Sequence, residues 1–148
     1  MVQTKNALVE QRQSFIFVDA RGVLTDDDGD FVRERVKWLN HISLALNKAQ
    51  VVLLHSWETT VGNLEMMAEV FGDRYDIAGW AGSVSIGGDI RDYLREVKIP
   101  RRLIILSCDD SVSEFLPQLI AIDPEIGLCA GHTSKSIAKM LEQKFTNY

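Results

Sequence analysis

Cysteine is scarce in this chain: Cys108 and Cys129 are the only two in 148 residues. Two thiols make neither a disulfide framework nor a zinc site, so a reducing, cytoplasmic setting is the expectation. Long apolar runs are missing as well. The longest are four residues, such as Val51 to Leu54, far short of the ~20 that a membrane-crossing helix needs. The opening MVQTKNALVEQRQ has no apolar core of signal-peptide length, so no secretory leader is expected. There is no basic excess: 16 Lys and Arg face 21 Asp and Glu, a net charge of -5. That balance favours neither nucleic acid nor an anionic membrane as a partner. Repeats, low-complexity tracts and internal linkers are also lacking. What remains is 46% apolar and 25% charged, the composition and length of one globular domain with a real core.

The stretch from Ser14 to Thr25, SFIFVDARGVLT, organises the rest. Phe15 to Val18 is an apolar run of aromatic and β-branched residues, which suits a strand buried on both faces. It stops at Asp19, and Gly22 follows. A carboxylate at the end of a buried strand, before a glycine turn, is a recurrent place for chemistry, because ligands of open α/β sheets bind beyond the strands' carboxyl ends. As a bare structural feature, Asp19 would cap a turn.

Residues 1–13 read as a polar arm and 14–148 as a single domain without a sizeable cap. After the first strand, Asp26 to Asp30 is an acidic turn whose glycine and acidic spacing do not match a calcium loop. Apolar residues from Val32 to Ala49 recur at steps of three and four, which predicts a helix over about 32–49. Val51 to Leu54 is a second buried strand, ending at His55-Ser56-Trp57. Thr59 or Thr60 would cap a helix with Val61, Leu64, Met67 and Phe71 on its buried stripe. Residues 72–88 are glycine-rich and predict a loop, with a short strand near Ile77 to Trp80. Ile90, Tyr93, Leu94 and Val97 predict a helix that Pro100 stops. Leu103 to Leu106 is another buried strand, ending in Ser107-Cys108-Asp109-Asp110. A short helix at Val112 to Leu119, a strand at Ile120 to Ile122 and a final helix carrying Ile137, Met140, Leu141 and Phe145 complete the chain. Alternation of this kind predicts an α/β fold, a three-layer α/β/α sandwich around a parallel, Rossmann-like sheet. Its strand C-termini would share one edge, which would bring Asp19, Ser56 and Asp109-Asp110 together. Clustered carboxylates of this type make a hard-oxygen site suited to Mg²⁺.

These segments resemble the haloacid dehalogenase superfamily. FVDARGVLT is similar to its first motif, a strand followed by DxDGVLT. Ser56 corresponds to its Ser/Thr motif, Asp109-Asp110 to its acidic motif, and the tail DPEIGL with its helix to small capless members, including those of RNA-repair proteins. The resemblance implies a Mg²⁺-dependent phosphatase acting on a phosphorylated substrate. Asp19 would be the nucleophile that forms an aspartyl-phosphate, and Ser56 would bind a phosphoryl oxygen. Asp19, Asp109, Asp110 and the backbone carbonyl of Arg21 would hold the metal. Gly22 and Trp57 are further candidates for touching substrate, Trp57 by stacking or by packing at the rim.

Two positions depart from that pattern. The family's general acid, two residues after the nucleophile, is Arg21 here, and a guanidinium cannot donate and recover a proton near neutral pH. The family's lysine has no counterpart in SIGGDI (85–90). Lys98, Arg101 and Arg102 lie near the wrong end of the next strand, and Arg91 and Arg95 read as ordinary helix surface. Arg21 could supply the missing charge to a phosphate, or lie on Asp109 and displace the metal. The alternative is therefore a catalytically degenerate binding or regulatory protein that works with a protein partner. Processing of nucleic-acid ends is a weaker third reading.

Overall fold

The structure is a computed structural model that describes residues 12–54, 61–78, 85–110 and 112–146. Five strands form one sheet in the order β3-β2-β1-β4-β5, with every neighbouring pair parallel. They are β1 (Gln13–Val18), β2 (Gln50–Leu53), β3 (Tyr75–Ile77), β4 (Arg101–Ser107) and β5 (Leu119–Ala121). The helices are α1 (Arg33–Ala45), α2 (Val61–Phe71), α3 (Ile86–Arg95) and α4 (Thr133–Leu141). The chain is therefore a three-layer α/β fold with a Rossmann-like parallel sheet.

Alternation along β1 distributes its side chains between two cores. Ile16 and Val18 join Val36, Leu39 and Ile42 of α1, Met67 and Phe71 of α2, and Met140 of α4. Phe15 and Phe17 point the other way, into a core with Ile86, Ile90 and Leu94 of α3 and with Val112. Tyr93 closes that second core edge-on to both phenylalanines, at 5.8 and 5.7 Å. Right-handed crossovers account for the division of helices. β1 to β3 progress in one direction under α1 and α2, and the chain then returns over the opposite face through α3 to β4. The two edge strands have three residues each, which limits the unpaired backbone presented to other chains.

Several boundaries differ from those expected. Helix α1 ends at Ala45, not near 49. Asn47 and Lys48 adopt left-handed φ of 59° and 62°, and the Ser43 hydroxyl donates to the Ala49 carbonyl at 2.6 Å, which turns the chain into β2. Gly87 and Gly88 belong to α3, not to a loop. Ser85 caps this helix by accepting from the Gly88 N–H at 3.0 Å, and burial of Ile86 and Ile90 offsets the low helix propensity of glycine. The third strand is Tyr75–Ile77, two to three residues earlier than expected. The short helix before β5 is a 3₁₀ segment, Ser113–Gln118, in which Leu116 is exposed, while Leu119 opens the strand. Phe145 lies beyond α4, and the Arg102 guanidinium stacks over its ring at 4.4 Å. Thr59, Thr60 and Trp80 fall outside the described residues. No helix among the described residues is long and apolar enough to cross a membrane.

Candidate functional site

In the order 3-2-1-4-5, crossovers leave β1 and β4 in opposite directions, so these strands flank the sheet's switch point, where a crevice opens at the carboxyl edge. Asp19 stands at that point. Its N–H donates to the Leu106 carbonyl at 3.0 Å, and the Leu54 N–H donates to the Val18 carbonyl at 2.9 Å, so the ladder is tied on both sides. Only 6% of Asp19 is exposed. Val18 pairs with Leu106, so the next residue of β4, Ser107, lies beside Asp19. Its hydroxyl donates to Asp19 Oδ2 at 3.1 Å and accepts from the Asp109 N–H at 2.9 Å. One buried hydroxyl thus orients the carboxylate and shapes the turn that carries Asp109. Sequence reasoning gave Ser107 no role. The register of the two apolar runs, FIFV against LIIL, is the signal that would have found it.

Beyond Asp19 the chain makes a type II turn. Arg21 has φ -63° and ψ 119°, and Gly22 has φ 78° and ψ -22°, the position where such a turn calls for glycine. A Cβ on Gly22 would come within 2.8 Å of Cys108 Sγ and 2.9 Å of Pro124 Cβ. Gly22 is therefore a close-approach residue that lets two loops cover the turn. Its N–H donates to the buried Thr25 hydroxyl at 3.0 Å.

Thr25 and Phe31 form an antiparallel bridge around the acidic turn. Within that turn, Asp26 Oδ1 accepts from the N–H groups of Asp28 (2.9 Å) and Asp30 (3.1 Å). This small flap is docked on α2. The Asn63 side chain accepts from the Phe31 N–H and donates to the Gly29 carbonyl. Arg35 braces the same turn from α1, donating to the Thr25 carbonyl at 2.6 Å and the Gly22 carbonyl at 3.5 Å. Its guanidinium lies across Gly127, where there is no room for a Cβ. Neither Asn63 nor Arg35 stands out in the sequence, because each reads as a polar face of an amphipathic helix.

Electrostatics at the turn are dominated by anions. The Cys108 thiol is pushed up to about 11, by burial first and then by the charges of Asp19 and Asp123, partly opposed by Arg35. Asp123, absent from the expected site, therefore adds negative charge from the end of β5. Asp109 and Asp110 are exposed. Arg21 is exposed too and forms no ion pair among the described residues, so it does not lie on Asp109. Among the described residues, no three His, Cys, Asp or Glu side chains group as metal donors.

Ser56, His55 and Trp57 lie outside the described residues. Arg101 opens the strand that Ser107 closes. At ~3.3 Å per residue, six steps place it about 20 Å away, beyond the reach of an arginine side chain. Arg101, Arg102 and Lys98 therefore cannot replace the missing lysine at Asp19. Of the other histidines, His132 accepts at Nδ1 from the Cys129 N–H at 3.1 Å, and His41 stacks edge-on against Trp38. Both fill structural positions.

Comparison with family models, curated proteins and solved structures finds no match to this chain.

Proposed function

We propose that this chain is a haloacid-dehalogenase-like phosphohydrolase that uses Asp19 as its nucleophile. The observation that carries this reading is the buried Asp19 at the sheet's switch point, oriented through Oδ2 by Ser107 of the neighbouring strand. One carboxylate oxygen of Asp19 attacks phosphorus, the phosphorus–oxygen bond to the leaving group breaks, and the leaving group departs with the electron pair as a stabilised anion such as an aryloxide. Water then attacks the aspartyl-phosphate, releasing inorganic phosphate and regenerating the Asp19 carboxylate.

The donor set is all oxygen, which suits Mg²⁺, an ion that takes one or two carboxylates and keeps several waters. A cage of three carboxylates is not assembled among the described residues, and Asp19, one of Asp109 or Asp110 and the Arg21 carbonyl are assigned to the ion by resemblance. When bound, Mg²⁺ offsets the repulsion between carboxylate and phosphoryl group. Arg21 cannot protonate the leaving group, so turnover is restricted to substrates with good leaving groups. From the mouth of the site, its guanidinium can pair with a phosphoryl oxygen. Ser56 is assigned to a second phosphoryl oxygen by resemblance alone.

Hydrolysis of an aryl phosphate with Mg²⁺ tests this reading. Asp19→Asn should abolish it, and equal rates for the two proteins would reject the mechanism. Replacement of the general acid by Arg21 supports a second reading, a binding or regulatory protein without turnover. Arg21→Asp separates the two. A gain of about 10²–10⁴ in rate indicates a phosphohydrolase tuned down at one position, whereas no gain, with no calorimetric signal for Mg²⁺, favours the binding protein.

A further inference from the structure

At the opposite edge of the sheet from Asp19 lies an open cleft of about 870 Å³. Its walls come from α3, the start of β4, the 3₁₀ segment before β5 and the chain after α4. Among the described residues six cations line it, Arg91, Arg95, Lys98, Arg101, Arg102 and Lys144, against one carboxylate, Glu114. The balance of these lining residues is +5 in a chain whose net charge is -5. Five of these cations, Arg91 to Arg102, already form a basic cluster in the sequence, interrupted by Asp92 and Glu96, which reads there as ordinary helix surface. The fold turns them to a common space and adds a lysine from the C-terminal segment.

Part of this charge is already used. Arg91 pairs with Glu114, Arg95 lies 3.6 Å from Asp92, and Arg102 donates to the Ser14 hydroxyl at 3.0 Å while stacking on Phe145. Lys98 donates only to the Arg95 carbonyl at 3.4 Å. Neither Lys98 nor Lys144 has a carboxylate within ion-pair distance among the described residues. Two ammonium groups without a carboxylate partner, beside four guanidinium groups on one concave surface, suit a ligand with several negative charges.

The cleft is not uniformly polar. Leu94, Leu103 and Phe115 contribute apolar wall, enough to receive a flat ring beside the charges. The volume falls in the range of ~300–1,000 Å³ usual for small-molecule sites.

We propose that this cleft binds a nucleoside polyphosphate. The phosphates engage Lys98, Lys144 and the neighbouring arginines, and the base lies on Phe115 and Leu103. This proposal does not rest on phosphohydrolase activity. The cleft lies about 20 Å from Asp19, by the rise of β4.

Calorimetric titration of the full chain with ATP, in EDTA and at low salt, is the direct test. Saturable binding is expected, weaker for tripolyphosphate and weaker still for adenosine. Lys98→Glu with Lys144→Glu should weaken ATP by roughly tenfold or more, since two attractions become repulsions. Both residues are on the surface, and an unchanged thermal melt would confirm that the variant is folded. Asp19→Asn should bind ATP as the wild type does, which separates this cleft from the site at the other edge. Absence of saturable ATP binding, or indifference to the double charge reversal, would overturn the proposal. So would a single-stranded oligonucleotide binding more tightly than ATP at equal salt, which would make the cleft a nucleic-acid surface.

Discussion

Ser107→Ala is the sharpest test of how the site is held. Ser107 is fully buried, and its hydroxyl makes two hydrogen bonds that alanine cannot make. Loss of the donor to the Asp19 carboxylate removes a charge-assisted bond, about 1.5–3 kcal/mol. Loss of the acceptor for the Asp109 N–H removes a neutral bond, about 0.5–1.5 kcal/mol. The missing oxygen leaves only a small void, so the two bonds set the scale, about 2–4 kcal/mol together. For a domain whose stability is on the order of 5–15 kcal/mol, this is a large fraction. With a urea m-value of about 2 kcal/mol per molar, the midpoint should fall by about 1–2 M. Equilibrium urea unfolding followed by circular dichroism reads this directly. A double-mutant cycle with Asp19→Asn should give a coupling of about 1 kcal/mol or more, because the two side chains touch. A midpoint shift below about 0.3 M, or additivity within about 0.3 kcal/mol, would refute the assignment of Ser107 as the group that orients Asp19.

Two further predictions concern the turn beside it. Gly22→Ala places an L-residue at φ 78° and a methyl group against Cys108 and Pro124, so thermal melts should show a loss of about 2–5 kcal/mol. Adding Cys108→Ala should recover only part, since the Pro124 contact remains, and a loss under about 1 kcal/mol would mean that the turn yields easily. The Cys108 thiol ionises near 9.0 when unfolded and near about 11 when folded, so the folded state holds its proton more tightly. Its contribution to stability is therefore intact below pH 9.0 and is lost as pH rises toward about 11. In a Cys129→Ser background, iodoacetamide at about pH 8 should alkylate the native thiol far more slowly than the unfolded one, and equal rates would contradict the burial.

The elements legible in the sequence share one property: their signal is local. FIFV, VVLL and LIIL are short apolar runs bounded by polar residues, and burial on both faces of a parallel sheet leaves that mark wherever the partners lie. Helix α1 showed its stripe for the same reason, whereas of the residues expected for α4 Leu141 is exposed and Phe145 lies beyond the helix. The misplaced boundaries turn on contacts that apolar periodicity does not register. The Ser43 hydroxyl bonds the Ala49 carbonyl six residues on, and the Ser85 cap, with the burial of Ile86 and Ile90, carries two glycines into a helix. The candidate site divides in the same way. Asp19 was visible as the polar end of an apolar run, whereas Ser107, Arg35, Asn63 and Asp123 acquire meaning only from their neighbours in space.

The sequence by itself determined the α/β alternation, the strand that ends in Asp19 and the need for glycine soon after it, because pattern and backbone sterics are written in adjacent residues. Only the tertiary structure decided the strand order, and with it that Ser107 at the end of β4 supplies a hydroxyl bonded to Asp19. It also decided that Lys144 joins the cations between Arg91 and Arg102 at one cleft. Strand order and surface charge density both depend on which distant segments pack side by side, and that choice is made by burial summed over the whole chain.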